Sequence, residues 1–384
     1  MSIMAEIKKN QLHSYLSDDL IIQEILTRLP IKSILRFKSV SKQWYSTLSS
    51  SDFVNAHLIK SPFSHPSAPV NTLFITSGKN HYLFSYDDDD DQISGNFEDN
   101  LVKLDVDFGV GKDYLLLSGC CNGLVCLTTA WDEYLIIWNP ATRKLHKYPS
   151  YGYLKRLDKA GPVIVSFGFG YASSVDDYKC VVILPVVQGS TTSNIVHVFS
   201  LRENRWRKID FFHDPLVFGS PSVLVRDKLY WSAYSKQAGY LLVSFDLAVE
   251  RFDVINIAWD KSDFLGVMRG CLSKCNYSQT FTGDKLLHLM EPPVIVKSIT
   301  LPKGLKLDMV SQMIGFTKTD KFFVTGSLSD ETGDFVRRRT LGIVDTCTKP
   351  MQYRVLLRFN KFIKIVRYVP SLASPFPIEK PSEA

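Results

Sequence analysis

The chain has 384 residues, of which 45% are hydrophobic and 22% charged, and its 45 Lys and Arg against 39 Asp and Glu give a formal net charge of +6. These values are typical of a soluble globular protein of about two domains, and the basic residues are too dispersed to mark a nucleic-acid-binding surface. No apolar run has the length of a membrane span or of a signal-peptide core. We therefore expect a cytoplasmic or nuclear protein that binds neither nucleic acid nor membrane. The seven cysteines, an odd number, favour reduced core thiols.

Residues 12–60 are predicted to form a small helical domain. Helical spacing begins with Ile22, Ile25, Leu26 and Leu29, and Pro30 should end that helix. Ser17, Ser41 and Ser51 are expected to cap the first, third and fourth helices, with a short second helix over residues 33–38.

This helical segment carries more apolar side chains than a domain of its size can bury. Residues 29–48 contain nine apolar or aromatic residues among four Lys and Arg. A unit of about 45 residues buries only a modest fraction of its surface on folding, so it needs a partner or a neighbour. We interpret part of this surface as one that another protein covers.

After a proline-rich stretch at 61–70, predicted to be a linker, the pattern changes to short β-rich runs over residues 71–370, followed by a tail, 371–384, expected to be disordered. Four segments share an aliphatic strand, a turn and a second strand: 134–149, 196–210, 241–255 and 340–356. Residues 81–87 and 296–307 are two further candidate members of the repeat. A spacing of about 45–60 residues predicts a β-propeller-like domain of about six blades, and the structural alternative is a β-sandwich or a pair of barrels.

Several residues in the β-rich half are predicted to shape turns and packing. Asn139, Ser200 and Asp246 open three of the turns, and Asn122-Gly123 is typical of a tight hairpin. Gly168, Gly170 and Tyr178 are interpreted as residues of sheet geometry and packing, without a ligand.

Residues 16–48, LSDDLIIQEILTRLPIKSILRFKSVSKQWYSTL, resemble the F-box, the helical module by which substrate receptors join cullin-RING ubiquitin ligases through a Skp-type linker protein. The matching positions are Leu16, Glu24 to Leu26, Leu29-Pro30, Ser33 to Phe37, Val40-Ser41 and Trp44. Ser17 replaces the usual proline, and the segment from Ser17 to Glu24 is one residue longer than the commonest form.

The resemblance implies a surface that binds the Skp-type linker. Its expected residues are Leu16, Leu20, Ile25, Leu29, Pro30, Ile34, Leu35, Val40 and Trp44. Trp44 has two interpretations, as an anchor for the partner and as a residue that closes the unit's own core. Four basic residues have two interpretations: they steer the chain toward an acidic partner, or they are simply the solvated faces of short helices. They are Lys32, Arg36, Lys38 and Lys42.

The β-rich half is similar, over about residues 71–356, to the F-box-associated domain of the large plant family that includes the S-locus F-box proteins. The segments 118–127, 134–149, 167–183 and 196–210 carry this similarity. In that family the domain is kelch-like or propeller-like and recruits the protein to be ubiquitinated.

Together the two resemblances imply a non-catalytic substrate receptor of a Skp-cullin-F-box ubiquitin ligase. Its partners would be the linker, through it the cullin and RING subunits, and an unidentified target protein. We expect no cofactor, metal or catalytic residue, because the cysteines lack zinc-ligand spacing and the histidines are scattered. The alternatives are a β-propeller enzyme, whose catalytic groups would gather in a pocket, and a scaffold that binds without causing degradation.

Overall fold

The fold is that of a computed structural model. It describes residues 20–62, 68–87, 97–110, 115–129, 134–150, 165–188, 191–211, 215–219, 222–255, 263–268, 270–279, 285–291, 294–300, 307–319, 321–328, 339–345, 352–359 and 363–376. The chain divides into two compact units, residues 1–64 and 65–384.

The first unit is helical. A π-helical turn, Ile21–Ile25, leads directly into a 3-10 turn, Leu26–Arg28. Three α-helices follow: α1 (Ile31–Phe37), α2 (Lys42–Ser49) and α3 (Ser51–Lys60). The 3-10 turn contacts α3, and α2 contacts both α1 and α3. The buried apolar side chains of this unit are Leu26, Ile31, Ile34, Leu48 and Phe53.

The first predicted helix differs from the regular α-helix that the spacing suggests. In the π-helical turn the Leu26 amide donates to the carbonyl of Ile21, five residues earlier instead of the four of an α-helix. The wider turn also rotates the side chains. Ile25, which shares the predicted helical face with Leu26 and is one of the expected linker-binding residues, is 43% exposed, whereas Leu26 is buried. Thr27 is fully buried, and its hydroxyl donates to the Gln23 carbonyl at 2.7 Å.

Two helix starts are fixed by serine side chains. Ser41 accepts a hydrogen bond from the Trp44 amide at 3.1 Å, which confirms the predicted cap of α2. The cap of α3 is Ser50, which accepts from the Phe53 amide at 3.2 Å, so the predicted cap at Ser51 is wrong by one residue. Ser17, the third predicted cap, lies outside the described residues.

The described strands of the second unit form six antiparallel sheets, which we name blades 1 to 6. Blade 1 contains β25 (Ile363–Arg367), β1 (Thr72–Ser77), β2 (Asn80–Ser85) and β3 (Leu101–Lys103). Blade 2 contains β4 (Leu115–Cys121), β5 (Leu124–Thr129), β6 (Tyr134–Asn139) and β7 (Lys144–Pro149). Blade 3 contains β8 (Ser166–Ala172), β9 (Asp177–Gln188), β10 (Thr191–Ser200) and β11 (Arg205–Ile209).

The remaining blades follow the same order, with one interruption. In blade 4, β12 (Leu216–Phe218) and β13 (Val223–Val225) both pair with β14 (Lys228–Ser235), followed by β15 (Gly239–Asp246) and β16 (Arg251–Ile255). Blade 5 contains β17 (Phe264–Met268), β18 (Cys271–Gln279), β19 (Lys285–Glu291) and β20 (Val294–Thr300). Blade 6 contains β21 (Leu307–Phe316), β22 (Phe322–Leu328), β23 (Arg339–Asp345) and β24 (Gln352–Phe359).

The first strands of the blades close into a ring. β25 contacts β4, β4 contacts β8, β8 contacts β13, β13 contacts β17, β17 contacts β21, and β21 contacts β25. This cyclic order is that of a six-bladed propeller, and it confirms the fold predicted from the repeats. The four repeat segments are the third and fourth strands of blades 2, 3, 4 and 6. Residues 296–307 instead run from the last strand of blade 5 into blade 6, so they do not belong to the repeat.

The predicted turn residues share one geometry. The side chain of Asn139 accepts from the amides of Ala141 and Thr142, and Asp246 accepts from those of Ala248 and Val249. Ser200 accepts from the Glu203 amide. Four residues after each opening residue the backbone turns left-handed, at Arg143, Asn204 and Glu250, with φ of 58°, 52° and 56°. The side-chain-to-backbone hydrogen bonds expected of these three turn residues are therefore formed.

Glu250 also joins blade 3 to blade 4. Its carboxylate lies 2.8 Å from the Lys179 ammonium, and both side chains are nearly buried. The same ammonium donates to the Leu247 carbonyl at 2.6 Å, and Arg207 pairs with Glu250 as well. These bonds hold a non-glycine residue in a left-handed conformation that would otherwise be strained.

Two glycines of β8 allow blades 3 and 4 to approach each other. A Cβ atom on Gly168 would lie 2.6 Å from a methyl carbon of Leu229, and one on Gly170 would lie 2.6 Å from Leu224. The predicted packing role of both glycines agrees with these distances. Tyr178, the third residue of that prediction, stacks on Phe169 with ring centroids 6.0 Å apart.

The C-terminal segment, residues 368–376, corrects the prediction that the chain is disordered from residue 371. Ser371 and Ala373 are buried, and their carbonyls accept hydrogen bonds of 3.0 and 2.8 Å from the Asn139 side-chain amide. Tyr148 donates to the Pro375 carbonyl at 2.8 Å. We call these bonds the C-terminal clasp. The tight turn at Asn122-Gly123 (φ 48° and 72°) packs directly against the clasp. A Cβ atom on Gly123 would lie 2.6 Å from the Ser371 hydroxyl.

The structure differs from the predictions for one cysteine and for the end of the linker. Cys126 and Cys180 are free and buried, as expected of core thiols, with their sulfur atoms 3.8 Å apart. Cys271, by contrast, is exposed. Val70, at the end of the predicted linker, is buried and donates its amide to Phe316 of blade 6. It therefore belongs to the propeller.

The clasp makes the Asn139 side chain a test of how the C-terminal segment is held. Asn139→Ala removes the turn bonds and both clasp bonds, so we expect a loss of about 2–4 kcal/mol in the free energy of unfolding, measured by urea denaturation. The matched variant Asp246→Ala removes the equivalent turn bonds, together with an ion pair to Lys228 on the neighbouring strand of the same blade. It should cost about 1 kcal/mol. Equal losses in the two variants would show that the turn alone accounts for the effect.

The buried histidine His81 gives the propeller a defined pH dependence. Burial lowers the pKa of His81 from 6.5 to about 4, and the ring stacks on Phe74 at 6.0 Å. Below pH 6.5 the unfolded chain therefore binds a proton that the folded state excludes, and stability falls by up to roughly 1.4 kcal/mol per pH unit. We expect the melting temperature to drop between pH 7 and pH 5, and to drop less in His81→Phe. An equal drop in both proteins would contradict this assignment.

Candidate linker-binding surface of the helical unit

The nine expected linker-binding residues fall into four groups in the structure. Leu20, Ile25 and Val40 are 51%, 43% and 63% exposed, although they are large and apolar. Leu29, Leu35 and Trp44 are half-buried, and Pro30 is exposed. Ile34 is fully buried. Leu16 lies outside the described residues.

Ile34 is therefore a correction to the expected surface. Its relative exposure is 0%, so its side chain cannot contact a partner in this conformation. The resemblance placed it beside Leu35, but successive helical residues lie about 100° apart, so burying one turns the other toward solvent. Ile34 supports the surface from beneath, and Leu35 remains available.

Trp44 packs within the helical unit and also lines a groove on its surface. Its ring packs edge-on against Phe37 with centroids 5.8 Å apart, which belongs to the packing of α1 on α2. It also lines a groove between the π-helical turn and α2. The groove is lined by Ile21, Ile22, Leu26, Gln43, Trp44, Thr47 and Leu48.

Two polar residues of α3 fix the position of this surface, and the sequence analysis missed both. Nε2 of His57 lies 2.8 Å from the Leu29 carbonyl. Burial lowers the pKa of His57, so the neutral ring donates this bond. Lys60 donates to the Gln23 carbonyl at 2.9 Å and pairs with Glu24 at 3.0 Å. The only sequence signal was a histidine three residues before the lysine on one helix, which does not reveal partners about 30 residues away.

The Leu29-Pro30 pair is held in an extended step between two helical segments. Leu29 has φ −78° and ψ 152°, and its amide donates to the Leu26 carbonyl as the 3-10 turn ends. Pro30 precedes α1 with φ −58°, a value that its ring imposes. His57 thus holds a step that proline has already restricted, and the Leu29 side chain has a defined direction.

Basic side chains surround the exposed apolar residues. Lys32, Arg36 and Lys42 are exposed, and Lys38 lies 6.0 Å from the ring centroid of Tyr45, itself 58% exposed. Tyr45 was not among the expected residues, although its position beside Trp44 on a short helix places it on the outer side. The surface is therefore apolar with a positive margin.

Within the residues listed above as described, no group of three or more His, Cys, Asp or Glu is placed to hold a metal ion. In the same part of the chain, no helix combines the length and apolarity needed to cross a membrane.

Comparison with known proteins agrees with both halves of the chain. Residues 16–55 match the F-box domain, and residues 71–278 match the F-box associated beta propeller domain. The F-box/kelch-repeat protein At3g23880 of Arabidopsis thaliana is 30% identical over 275 residues, which cover 68% of this chain and 72% of the relative. The F-box protein CPR1 of Arabidopsis thaliana is 28% identical over 336 residues, which cover 78% of this chain and 77% of the relative.

The second match alone spans more than half of the chain, and the sheets described above form the ring that its description names. The chain therefore belongs to the F-box proteins that carry an F-box associated β-propeller domain.

Proposed function

We propose that this protein is a substrate receptor of a Skp-cullin-F-box ubiquitin ligase. The helical unit binds the Skp-type linker, and through it the cullin and RING subunits, while the propeller binds a target protein. The observation that carries the proposal is the set of exposed apolar residues in the F-box, Leu20, Ile25 and Val40, which the chain's own fold leaves uncovered.

The mechanism is proximity and needs no catalytic residue in this chain. A target held on the propeller is tethered to the assembly that carries the ubiquitin-charged enzyme. Tethering converts an encounter in solution into one at high effective concentration, so lysines of the target react faster.

The magnitude of the apolar contact shows what the surface can contribute. Burying a whole aliphatic side chain is worth roughly 1.5–3 kcal/mol, so covering the exposed half of one is worth about 1 kcal/mol. Six such residues supply about 6 kcal/mol. This gain offsets the free-energy cost of association, ~4–15 kcal/mol, only if that cost lies near the lower end of its range. The basic margin must therefore contribute through an acidic linker surface, and the binding should weaken as salt increases.

The direct test measures affinity for a purified Skp-type linker by calorimetry. The double variant Leu29→Ala, Leu35→Ala should weaken binding about 30-fold, because two partly exposed anchors are lost at about 1 kcal/mol each. The matched control is Ile59→Ala, since Ile59 is 83% exposed on α3 but is not part of the proposed surface. It should bind as the wild type does.

A second variant separates binding from folding. Ile34→Ala removes a buried side chain and should cost about 2–5 kcal/mol in stability. Its binding defect should follow its unfolded fraction, whereas the Leu29 and Leu35 variant should remain fully folded. The proposal fails if the wild-type chain does not bind the linker, or if the double variant binds as tightly as the wild type.

Degradation distinguishes a ubiquitin-ligase receptor from a scaffold or an enzyme. Expression of the Leu29→Ala, Leu35→Ala variant in place of the wild type should raise the abundance of the target, as proteasome inhibition should. Quantitative proteomics of the two lines measures this directly. If the abundance of no protein rises both in the variant line and under proteasome inhibition, degradation is not the outcome of binding.

A further inference from the structure

Blade 4 exposes a continuous row of three large side chains across three neighbouring strands. Val217 on β12 is 56% exposed, Tyr234 on β14 is 40% exposed, and Tyr240 on β15 is 36% exposed. Val217 lies directly opposite Tyr234, and Tyr234 directly opposite Tyr240. Directly opposed residues of antiparallel strands project from the same face, so the three form one patch. We call it the blade 4 ladder.

The ladder rests on a rigid support. Leu216, Phe218 and Ala233, which flank it along the strands, are buried in the core between blades 3 and 4. The side chain of Asn194 in blade 3 anchors β12, because it donates to the Leu216 carbonyl at 3.0 Å and accepts from the Leu216 amide at 2.7 Å. The two tyrosine rings contact each other with centroids 4.9 Å apart. A partner therefore meets a preformed surface.

The size of the ladder indicates a short segment as its occupant. At roughly 200 Å² for a tyrosine, the exposed fractions of the three side chains amount to on the order of 250 Å². A symmetric dimer through this patch alone would bury about 500 Å², well below the ~1,200 Å² of a stable specific interface. A few residues of an extended chain can cover the whole ladder.

A lysine next to the ladder indicates the charge of that segment. Lys236 lies in the turn that joins Tyr234 to Tyr240, and it is exposed. The Ser235 hydroxyl accepts from the amides of Gln237 and Ala238 at 3.1 and 3.2 Å, which fixes the turn. Among the residues that the structure describes, no carboxylate pairs with Lys236. A carboxylate of the partner can therefore approach this exposed ammonium without displacing a carboxylate of the described residues.

We propose that the blade 4 ladder binds an extended segment of the target in which aliphatic or proline side chains lie beside an acidic residue. The tyrosine rings receive the apolar side chains, their hydroxyls bond to the backbone of the segment, and Lys236 pairs with the carboxylate. This inference rests on the proposed role of the propeller in target binding, and it identifies the chemistry of the target.

The test uses the full chain and three sets of short, fluorescein-labelled peptides in a polarisation assay. The first set combines Leu and Pro with Asp, the second replaces Asp with Lys, and the third keeps Asp but replaces Leu and Pro with Ser and Gly. The first set should bind best. Tyr234→Ala and Tyr240→Ala should each weaken that binding about fivefold or more, and Lys236→Glu should shift the preference to the second set.

Tyr134→Ala is the matched control, because Tyr134 is 38% exposed at the start of β6 in blade 2. It should leave peptide binding unchanged. The inference is overturned if the first set binds no better than the third, or if Tyr134→Ala weakens binding as much as the ladder variants. It is also overturned if the ladder variants instead abolish self-association in sedimentation experiments, since the occupant would then be a second copy.

The result of the peptide-binding assay is independent of the linker-binding assay. The ladder variants should bind the Skp-type linker as the wild type does, since the F-box residues are unchanged. Failure of linker binding in the wild type would remove the ubiquitin-ligase role and leave the peptide result intact, whereas failure of peptide binding would remove only the ladder.

Discussion

Closure of the propeller depends on the pairing of its first strand with its last. β25 lies antiparallel to β1, from Leu73 opposite Arg367 to Ser77 opposite Ile363, so blade 1 exists only when both ends of the domain meet. Bringing such distant segments together costs loop-closure entropy before any contact forms, and the cost is offset only by the core that closure completes. The C-terminal clasp extends this closure, because the residues after β25 continue onto blade 2 and are fixed there by Asn139 and Tyr148. The last residues of the domain are therefore structural.

Ring closure leaves the outer strand of each blade as an edge, and the sequence protects these edges with charge. Among the outer strands whose side chains the structure describes, each carries an exposed cation, at Lys103, Lys144, Arg205, Arg251 and Arg354. Charged edge residues prevent the unpaired backbone groups of an outer strand from pairing with another chain.

The two units achieve a defined surface in different ways. In the helical unit, three short helices cannot bury all of their apolar residues, and the polar side chains His57 and Lys60 tie the irregular first turns to α3. The exposed leucine and isoleucine side chains are held in place by hydrogen bonds to the backbone carbonyls of Leu29 and Gln23. In the propeller, the buried sheets between blades supply rigidity, and single residues such as Gly168 set how closely the blades approach. Binding residues can then vary on the outside of the sheets without disturbing the core.

The amino-acid sequence determined the features that depend on local periodicity and local hydrogen bonds. The propeller and its repeats follow from the strand and turn pattern, and Asn139, Ser200 and Asp246 form the turns expected of them, because each bonds to backbone amides two or three residues away. Tertiary structure alone decided which apolar residues of the F-box remain outside. The neighbouring helices bury Ile34, which the resemblance places on the linker-binding surface, and this burial is not visible in the spacing of the sequence. Tertiary structure also decided that Asn139, besides opening its turn, binds residues more than 200 positions later in the chain. The second bond of a side chain goes to whatever the fold brings near it, and no local pattern carries that information.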